Sequence, residues 1–576
     1  MAFQSWPSSN WPEGVPHEIT DYDFPLFNFL DEAAKNYPDH TFTLFNGARR
    51  TYEQVKEAAD KIANFLSSRG ISKGDRVAIF LPNIPQYPAI YFGILKAGAV
   101  CVTCNPMYTP DALQHQLRDA GAKAVFCMDH PEFYPTTVKA IEGTKVETVV
   151  ICGVKSQLPA ITGFLGGLLG KIPKAGQYKT GHVFYDRIMS DFSPDAPAVE
   201  INPAEDLALI IYTGGTTGVP KGASLTHLNF VSNIKASFEW VRIVNTPGEK
   251  PDRYKKGGHH CFLGVLPWYH SFGMSLCMLT ACYTGSKLVC IPDPRAGNPP
   301  FTEVLKAVEK YKVTAMIAVP TIYSAFTNHP LIKKYDLSSI IACGSGGAPL
   351  AVELAKQFEA TTGSVIFEGY GLSETGPVIS INPTNLEQRK FGSVGMPIPS
   401  TDVKIVDQDE GTKELPQGED GEIAVHGPQV MVGYWEKEEE NRAAFREIGG
   451  KRYFLTGDIG HIDDEGYIII TDRKKDMIIV GGFNVYPREV EDIFFEHPKV
   501  ALAAVIGVPD ERSGETVKAF LQLKPGMDAT EEELLDWCKD KMPGYKRPRS
   551  IEFRESLPVS VVGKVLRREL RDENKQ

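Results

Sequence analysis

The sequence lacks the features that mark membrane-spanning, secreted and nucleic-acid-binding chains. No apolar run approaches the roughly 20 residues that a transmembrane helix requires, and residues 1–21 lack the charged start and apolar core of a signal peptide. The 10 cysteines are scattered, unlike those of a secreted disulfide framework. The net charge of −11 argues against nucleic acid as a partner, because such binding needs a basic face. We therefore expect a chain of the reducing cytoplasm.

Size and composition indicate a soluble protein of several domains. At 576 residues the chain exceeds a single ordinary core, so two or three domains are expected. Hydrophobic residues make up 42% of the chain and charged residues 23%, as in soluble globular proteins.

Two apolar stretches have more than one interpretation. Cys101 and Cys104 have the spacing of a redox or metal motif, but the run around them is apolar and no second pair lies nearby, so we predict a buried strand. Residues 159–171 are apolar and rich in glycine. They predict either a plain surface loop or a peripheral contact with the inner face of a membrane, and the sequence leaves both open.

The first part of the chain alternates between strand and helix patterns. The predicted strands are 75–81, 99–103, 124–128, 207–211, a strand containing Val265, 287–291 and 315–319. The predicted helices are one that follows a capping box at 51–54, then 86–96, 112–119, 274–283 and 301–311. This alternation predicts an α/β fold, in which a large N-terminal domain stacks mixed or parallel sheets with helices on their faces.

From about Val394 the pattern changes to short strands separated by turns. The predicted strands are 403–406, 422–425, 459–462 and 467–471. They predict a small, largely antiparallel sheet or barrel-like part that completes the large domain. The charged run 472–476 follows, and we place the domain boundary after residue 472. Residues 476–576 predict a small α+β domain with helices at 487–496 and 530–541.

The stretch 212–222 has the composition of a phosphate-binding loop. Its glycines let the backbone approach an anion closely, and successive amide N–H groups form an anion-binding concavity. Threonine hydroxyls add donors, and a lysine adds a mobile positive charge. The candidate triphosphate-binding residues are Thr213, Gly214, Gly215, Thr216, Thr217, Gly218 and Lys221.

Two other interpretations of this stretch are weaker. A flexible glycine turn explains the glycines but not the threonines and the lysine among them. The P-loop of nucleoside triphosphatases has the pattern G-x-x-x-x-G-K-[ST]. Here Pro220 precedes the lysine, and Gly222 occupies the position of the Mg²⁺-binding Ser or Thr. We therefore predict a phosphate loop of another kind.

Three later stretches are too specific in composition to serve packing alone. Residues 344–349 read Gly-Ser-Gly-Gly-Ala-Pro after a predicted strand at 340–342, and residues 368–375 read Glu-Gly-Tyr-Gly-Leu-Ser-Glu-Thr after a strand at 365–367. Both are predicted as glycine-bearing loops at the carboxyl ends of strands, where ligands of α/β sheets usually bind. Residues 453–458 read Tyr-Phe-Leu-Thr-Gly-Asp and precede the strand at 459–462.

With the phosphate loop, these stretches resemble the AMP-forming acyl-CoA synthetases of the adenylate-forming superfamily, in particular bacterial long-chain fatty-acid–CoA ligases. The resemblance covers residues 24–570. It implies that Ser373 donates to the α-phosphate of ATP, that Glu374 holds Mg²⁺, and that Asp458 and Arg473 bind the ribose. The resemblance assigns these residues to the adenine pocket, with the Tyr370 ring stacked on the base: Gly347, Ala348, Pro349, Gly369, Tyr370 and Gly371.

The resemblance also implies a mobile C-terminal domain. Residues 473–475 would form its hinge, with Lys475 at the hinge position. Lys564, which follows Pro558 and Gly563, matches the catalytic lysine that supports adenylate formation. Gly481 and Gly482 match the segment that admits the pantetheine arm of CoA in a second domain orientation.

His270 matches a family histidine at the mouth of the acyl tunnel, where it would gate the tunnel or contact the carboxylate. A lone histidine is more often a core residue, and that alternative stays open. Trp268, Met274, Met278 and Val378 are candidate tunnel residues, although methionine and aromatic residues at helical spacing are more often core.

The resemblance therefore implies an ATP-, Mg²⁺- and CoA-dependent ligase that activates a fatty acid or another carboxylic acid. The alternatives are a ligase for aryl, cycloalkyl or short-chain acids and an acyl adenylase that loads a carrier protein. A silent acyl- or nucleotide-binding module is a further alternative, which Lys221, Glu374 and Lys564 together disfavour. The sequence leaves a homodimer open.

Overall fold

A computed structural model describes residues 6, 9–213, 220–242, 256–258, 260–510, 512–539, 541–559 and 565–574. Some predicted site residues lie outside these ranges: Gly214, Gly215, Thr216, Thr217, Gly218 and Lys564. Across the described ranges, no helix is both long and apolar enough to cross a bilayer.

The helices predicted at 86–96, 112–119, 301–311, 487–496 and 530–541 begin and end within two residues of the predicted positions. The capping box at the start of α2 is present: Gln54 N–H donates to the Thr51 hydroxyl, and Thr51 N–H donates to Gln54 Oε1. The helices are α1 Asn28–Asn36, α2 Tyr52–Ser68, α3 Gln86–Lys96, α4 Pro110–Ala120, α5 Phe133–Ala140, α6 Ala160–Leu168, α7 Tyr185–Asp191, α8 His227–Arg242, α9 Ser271–Gly273, α10 Thr280–Tyr283, α11 Thr302–Tyr311, α12 Pro320–Thr327, α13 Val352–Thr362, α14 Glu438–Ala444, α15 Pro487–Phe495, α16 Glu531–Lys539 and α17 Arg567–Glu573.

The strands before residue 400 form two large sheets. They are β1 Thr41–Phe45, β2 Ala48–Thr51, β3 Arg76–Phe80, β4 Val100–Thr103, β5 Ala124–Met128, β6 Thr148–Cys152, β7 Val183–Phe184, β8 Leu207–Thr213, β9 Lys221–Thr226, β10 Cys261–Gly264, β11 Lys287–Cys290, β12 Ala315–Ala318, β13 Ala342–Ser345, β14 Ile366–Gly371, β15 Val378–Ile381 and β16 Met396–Pro397. Cys101 and Cys104 are buried in or beside β4, as predicted.

The remaining strands form the later part of the chain. They are β17 Asp402–Val406, β18 Gly421–His426, β19 Gly433–Tyr434, β20 Phe445–Ile448, β21 Lys451–Ile462, β22 Ile468–Arg473, β23 Ile478–Val480, β24 Phe483–Val485, β25 Val500–Asp510, β26 Gly514–Leu523 and β27 Ser550–Phe553.

The first large sheet has the order β16-β15-β14-β13-β12-β10-β11-β1-β2, and the second has the order β19-β9-β8-β4-β3-β5-β6-β7. Their central strands are parallel, and antiparallel pairs occur only towards the edges, at β14-β15-β16, β1-β2 and β8-β9-β19. One buried cluster joins Ile79 and Leu209 of the second sheet to Phe262 of the first through Ile62 of α2 and Tyr91 of α3. The predicted stacked α/β domain is therefore confirmed.

Two smaller antiparallel units follow. Strands β17, β18, β20, β21 and β22 form the sheet predicted to complete the large domain. Strands β23 to β26 pair antiparallel, β27 adds parallel to β26, and helices α15 and α16 pack against this sheet in a separate core cluster. The smaller C-terminal domain is thus confirmed, whereas its boundary after residue 472 and the hinge at 473–475 stay predictions.

Several predicted boundaries are wrong because tertiary pairing extends the strands. Tyr370 and Asp458 lie inside β14 and β21, since β14 pairs with β15 and β21 pairs with both β18 and β22. Gly344 belongs to β13, and Val265 lies just beyond β10. The predicted helix at 274–283 contains a π-helical segment, Met274–Leu279, between α9 and α10.

A buried ionic cluster ties the first three helices together. Lys96 Nζ of α3 lies 2.5 Å from Asp31 Oδ1 of α1 and 2.6 Å from Asp60 Oδ1 of α2. Asp60 is also paired with Lys56. Because Lys96 and Asp60 are buried, each charge depends on the other for compensation.

We expect Lys96→Met to lower the free energy of unfolding by about 3 kcal/mol, because the carboxylates of Asp31 and Asp60 both lose the buried ammonium group that compensates their charge. Urea-induced unfolding measures the change. Lys312→Met is the matched control, since it removes an exposed lysine from the Lys312–Asp336 pair and should have no measurable effect. Equal losses in the two variants would contradict the importance of the buried cluster.

Candidate active site

The carboxyl ends of parallel strands in both large sheets open onto one cavity of about 680 Å³. Thr103 of β4 and Ser345 of β13 mark the two sheets in its wall. Ligands of α/β sheets usually bind at this end of the strands. The cavity is lined by many of the predicted site residues: Thr213, Lys221, His270, Gly347, Gly369, Tyr370, Gly371, Ser373, Glu374 and Arg473.

Other predicted site residues lie outside the cavity lining. Ala348 and Pro349 continue the chain from Gly347 without joining the lining. Lys475 is exposed beyond Arg473. The glycines at 481 and 482 are exposed at the turn between β23 and β24, where their φ angles of +58° and +85° favour glycine.

Asp458 is a buried carboxylate held by two donors. The Tyr370 hydroxyl donates to Oδ2 at 2.6 Å, and Arg473 Nε lies 2.7 Å from Oδ1. Asp458 and Arg473 face each other across β21 and β22, which fixes their separation. Burial and the neighbouring carboxylate raise the pKa of Tyr370, so its phenol stays protonated and donates. Because a carboxylate has about four lone-pair positions, Asp458 retains acceptors for ligand hydroxyls.

Glu374 is a second buried carboxylate and, unlike Asp458, it lines the cavity. The hydroxyls of Thr213 and Tyr434 both donate to its Oε1, at 3.2 and 3.0 Å. Tyr434 is a site residue that the sequence reasoning missed, because only the pairing of β19 with β9 brings it to Glu374. Among the described residues, no group of three or more His, Cys, Asp or Glu side chains could hold a metal ion. Glu374 can therefore offer a cation one carboxylate, with the other ligands coming from a nucleotide or water.

Lys221 is the first residue of β9 and lies opposite Thr213 at the end of β8. The predicted phosphate loop thus joins two antiparallel strands. This arrangement differs from the strand-to-helix connection of a P-loop, in agreement with the sequence. Lys221 Nζ lies 5.4 Å from the centroid of the Tyr434 ring and 3.9 Å from Glu440 Oε1. These contacts hold a cation beside Glu374, where it can attract an anionic ligand.

His270 borders the cavity at the start of α9, and its Nδ1 accepts a hydrogen bond from Phe272 N–H at 3.3 Å. Burial lowers the pKa of His270 to about 4, so the imidazole is neutral at physiological pH. Beside it, the Ser271 and Ser373 hydroxyls are 3.0 Å apart and link α9 to the chain after β14. A contact between His270 and a substrate carboxylate would therefore be a hydrogen bond without a formal charge on the ring.

Part of the cavity lining is apolar, and α8 and strands of the first large sheet contribute most of it; this part is called the apolar branch. Its apolar side chains are Phe238, Val241, Phe262, Leu276, Ile317, Phe367, Val378 and Ile381. Of the candidate tunnel residues, Val378 lines this branch. Trp268, Met274 and Met278 belong instead to the main core, where Trp268 packs edge-on against Tyr87.

Residues 30–435 match the AMP-binding enzyme family, and residues 489–564 match the C-terminal domain of AMP-binding enzymes. The chain belongs to the AMP-binding enzyme family. This confirms the resemblance to AMP-forming acyl-CoA synthetases predicted from the motifs, whose members use ATP and CoA.

Relatives within this family match over nearly their whole length. The chain is 40% identical over 570 residues to the long-chain-fatty-acid–CoA ligase of Bacillus subtilis, covering 98% of this chain and 97% of that protein. The long-chain-fatty-acid–CoA ligase of Escherichia coli O6:H1 is 38% identical over 572 residues with the same coverage. The probable 4-coumarate–CoA ligase 1 of Dictyostelium discoideum is 33% identical, covering 96% of this chain and 95% of that protein.

Solved structures of AMP-binding enzymes share the fold. ATP-bound MatB from Rhodopseudomonas palustris superposes with a TM-score of 0.80 at 28% identity, covering 96% of this chain and 99% of that chain. The anthranilate CoA ligase AuaEII with anthranoyl-AMP gives 0.81 at 26% identity, covering 96% and 98%. Apo MatB gives 0.69 at 28% identity with 96% and 99% coverage. The chain is thus more similar to the ATP-bound form of MatB than to its apo form.

The pKa of His270 gives this AMP-binding enzyme a specific dependence of stability on pH. The pKa of His270 is about 4 in the native state and about 6.5 in the unfolded state. The stability that depends on a neutral His270 is therefore fully present above pH 6.5 and is lost as the pH falls towards 4. We expect wild type to lose about 2 kcal/mol more than His270→Gln between pH 7 and 4.5, measured by urea-induced unfolding. His115→Gln, a change at an exposed histidine, is the matched control. Parallel pH curves for wild type and His270→Gln would contradict this assignment.

Proposed function

We propose that this chain is a fatty acid–CoA ligase, which joins a fatty acid to CoA through an acyl-adenylate and releases AMP and pyrophosphate. The proposal rests chiefly on one cavity that combines the polar groups around Asp458 and Glu374 with an apolar branch between α8 and the first sheet. A fatty acyl-adenylate likewise has a polar nucleotide part and an apolar acyl chain, which match the polar and apolar parts of the cavity. The volume of the cavity, about 680 Å³, is within the range of small-molecule sites. The identity of 40% to a long-chain-fatty-acid–CoA ligase supports this substrate class.

In the first half-reaction, a carboxylate oxygen of the fatty acid attacks the α-phosphorus of ATP, and pyrophosphate leaves. Asp458 would accept hydrogen bonds from the ribose hydroxyls, with Arg473 and Tyr370 holding its carboxylate in place. The Ser373 hydroxyl would donate to the α-phosphate, and the neutral His270 would contact the incoming carboxylate. No protein nucleophile is needed, because positioning and electrostatic stabilisation supply the catalysis.

The residues around Glu374 fit a Mg²⁺ ion that arrives with the triphosphate. Both hydroxyl donors bond Glu374 Oε1, so the carboxylate keeps acceptor capacity for a cation. When bound, Mg²⁺ would neutralise charge on the phosphate oxygens. Lys221, across the hairpin from Thr213, would stabilise the departing pyrophosphate.

The second half-reaction requires the C-terminal domain to turn about the predicted hinge at 473–475. Leu566 lines the cavity, and Lys564 precedes it by two residues, so this orientation suits adenylate formation. Gly481 and Gly482 lie outside the cavity lining and would enter only after rotation, when they admit the pantetheine arm of CoA. The thiol of CoA then attacks the acyl carbonyl, and AMP leaves. The greater similarity to ATP-bound than to apo MatB supports the assignment of this orientation to the nucleotide-bound enzyme.

The alternative is a ligase for aryl, cycloalkyl or short-chain acids, or an acyl adenylase that loads a carrier protein. Similarity to a probable 4-coumarate–CoA ligase and to an anthranilate CoA ligase favours keeping the aryl alternative. The sequence identity of this chain to these two aryl ligases, 33% and 26%, is lower than its 40% identity to the fatty-acid ligase of Bacillus subtilis, so the fatty acid stays the first choice.

Incubation with ATP, Mg²⁺, CoA and a panel of acids tests the proposal. Hexadecanoate should give equal amounts of AMP and acyl-CoA, whereas benzoate and 4-coumarate should give little. Asp458→Asn should raise the KM for ATP by about tenfold, because a charged hydrogen-bond acceptor for the ribose is lost. Asp464→Asn, at an exposed turn after the same strand, is the matched control. ADP as product, or turnover that does not depend on any acid, would contradict the proposal.

We also propose that helix α6 makes the peripheral membrane contact that the sequence left open. The stretch 159–171 is helical over Ala160–Leu168, and its contact with a membrane stays a proposal. Ile161, Phe164 and Leu168 are 75%, 65% and 74% exposed on it, and Lys171 and Lys174 are exposed just beyond it. An exposed apolar helix face beside cations suits the surface of an anionic bilayer, from which an amphiphilic substrate could be collected.

Co-sedimentation with vesicles tests this contact. The double variant Phe164→Glu, Leu168→Glu should bind phosphatidylglycerol vesicles about tenfold less than wild type, because two anchoring side chains gain charge. Met527→Glu removes another exposed apolar side chain elsewhere and is the matched control. Equal binding of wild type and the double variant would reject the contact.

A further inference from the structure

Asp472, the penultimate residue of β22, is a buried carboxylate that contacts two groups from beyond the predicted hinge. Its Oδ2 accepts a hydrogen bond from Arg488 N–H at 2.6 Å, and its Oδ1 lies 3.4 Å from Arg567 Nη1. Its side chain is only 2% exposed. Asp472 pairs with Ile459 of β21, so it is held by the sheet of the large domain. It is therefore a link between the two domains.

The two donors come from the starts of two helices in the C-terminal domain. Arg488 is in the first turn of α15, where backbone N–H groups have no partner within the helix. Asp472 therefore completes the N-terminus of α15 from the opposite domain. The Arg488 guanidinium adds a second link, because Nη1 donates to Ile470 O of β22 at 2.9 Å.

Arg567 stands at the start of α17 and pairs with carboxylates on both sides of the predicted hinge. Within the C-terminal domain, its guanidinium lies 2.5 Å from Glu491 Oε2 and 3.1 Å from Asp476 Oδ2. Its contact with Asp472 crosses the hinge. Rotation of the domain would keep the first two contacts and break the third.

We propose that Asp472, with Arg488 and Arg567, forms a latch that holds the C-terminal domain in the orientation for adenylate formation. The proposal rests on the function proposed above. Arg567 directly follows Leu566, which lines the cavity, so the latch holds the start of α17 at the cavity. The expected catalytic Lys564 precedes Leu566 by two residues in the sequence and lies outside the described residues. Asp472 is a positioning residue in this scheme, since it acts through the start of α17.

The energetics suit a link that must also open. A buried ion pair adds little net stability, because desolvation offsets most of the attraction. Breaking it inside the protein would leave the Asp472 carboxylate with only the Arg473 N–H as a donor and the Arg488 N–H without its acceptor, but rotation would expose both to water. The latch can therefore bias the orientation without making it permanent.

Separate measurement of the two half-reactions tests the latch. Acid-dependent exchange of pyrophosphate into ATP reports the first, and acyl-CoA formation from supplied hexadecanoyl-adenylate reports the second. Asp472→Asn should lower the ratio of first to second rate by about tenfold, within the usual range of coupling between sites. Arg567→Lys should shift the ratio in the same direction, because a lysine ammonium lacks the planar guanidinium that contacts all three carboxylates at once. Asp472→Glu should restore part of the ratio.

Arg571→Gln is the matched control. Arg571 Nη2 lies 2.7 Å from Asp476 Oδ1, so this pair belongs to the same cluster but does not cross the hinge. The ratio should stay at the wild-type value in this variant. A purely structural role for Asp472 would slow both half-reactions equally, and an unchanged ratio in Asp472→Asn and Arg567→Lys would overturn the latch. If wild type carried out neither half-reaction with any acid, the proposed function itself would fail.

Discussion

The arrangement of the candidate site depends on one buried carboxylate. Asp458 is held between Tyr370 of β14 and Arg473 of β22, so a single side chain joins the first large sheet to the antiparallel sheet that follows it. A buried carboxylate is stable only with charged or hydrogen-bonding partners, and both partners here border the cavity. Arg473 is also the first residue of the predicted hinge at 473–475. In the proposed mechanism, the contacts that hold the ribose-binding Asp458 therefore include a residue of the predicted hinge.

The electrostatics of the cavity explain how an acidic wall can accept an anionic nucleotide. Glu374 and Asp458 each have hydrogen-bond or ionic partners, while Lys221 and Arg473 contribute positive charge to the cavity lining. A divalent cation on the triphosphate would use the acceptor capacity that Glu374 retains. Away from these groups the cavity becomes apolar, which suits an acyl chain better than a second charged substrate.

The sequence predicts this protein well where local pattern decides the structure. Helix α3 and strand β5 have the predicted bounds, because each is a continuous buried segment whose ends are marked by turn residues. Prediction fails where distant pairing decides. Tyr370 and Asp458 were expected in or beside loops, yet partner strands that are remote in sequence extend β14 and β21 through them. Tyr434 escapes sequence reasoning for the same reason. For Trp268 the sequence leaves both the tunnel and the core open, and the structure places it in the main core. The order of the motifs identifies the family, but long-range contacts determine the detailed geometry.

A structure of the protein with a non-hydrolysable hexadecanoyl-adenylate analogue tests the central claim most directly. The ribose hydroxyls should contact Asp458, the adenine should lie against Tyr370, and the acyl chain should occupy the branch between α8 and the first sheet. A nucleotide bound away from Asp458, or an acyl chain outside this branch, would contradict the claim that one cavity holds the whole adenylate.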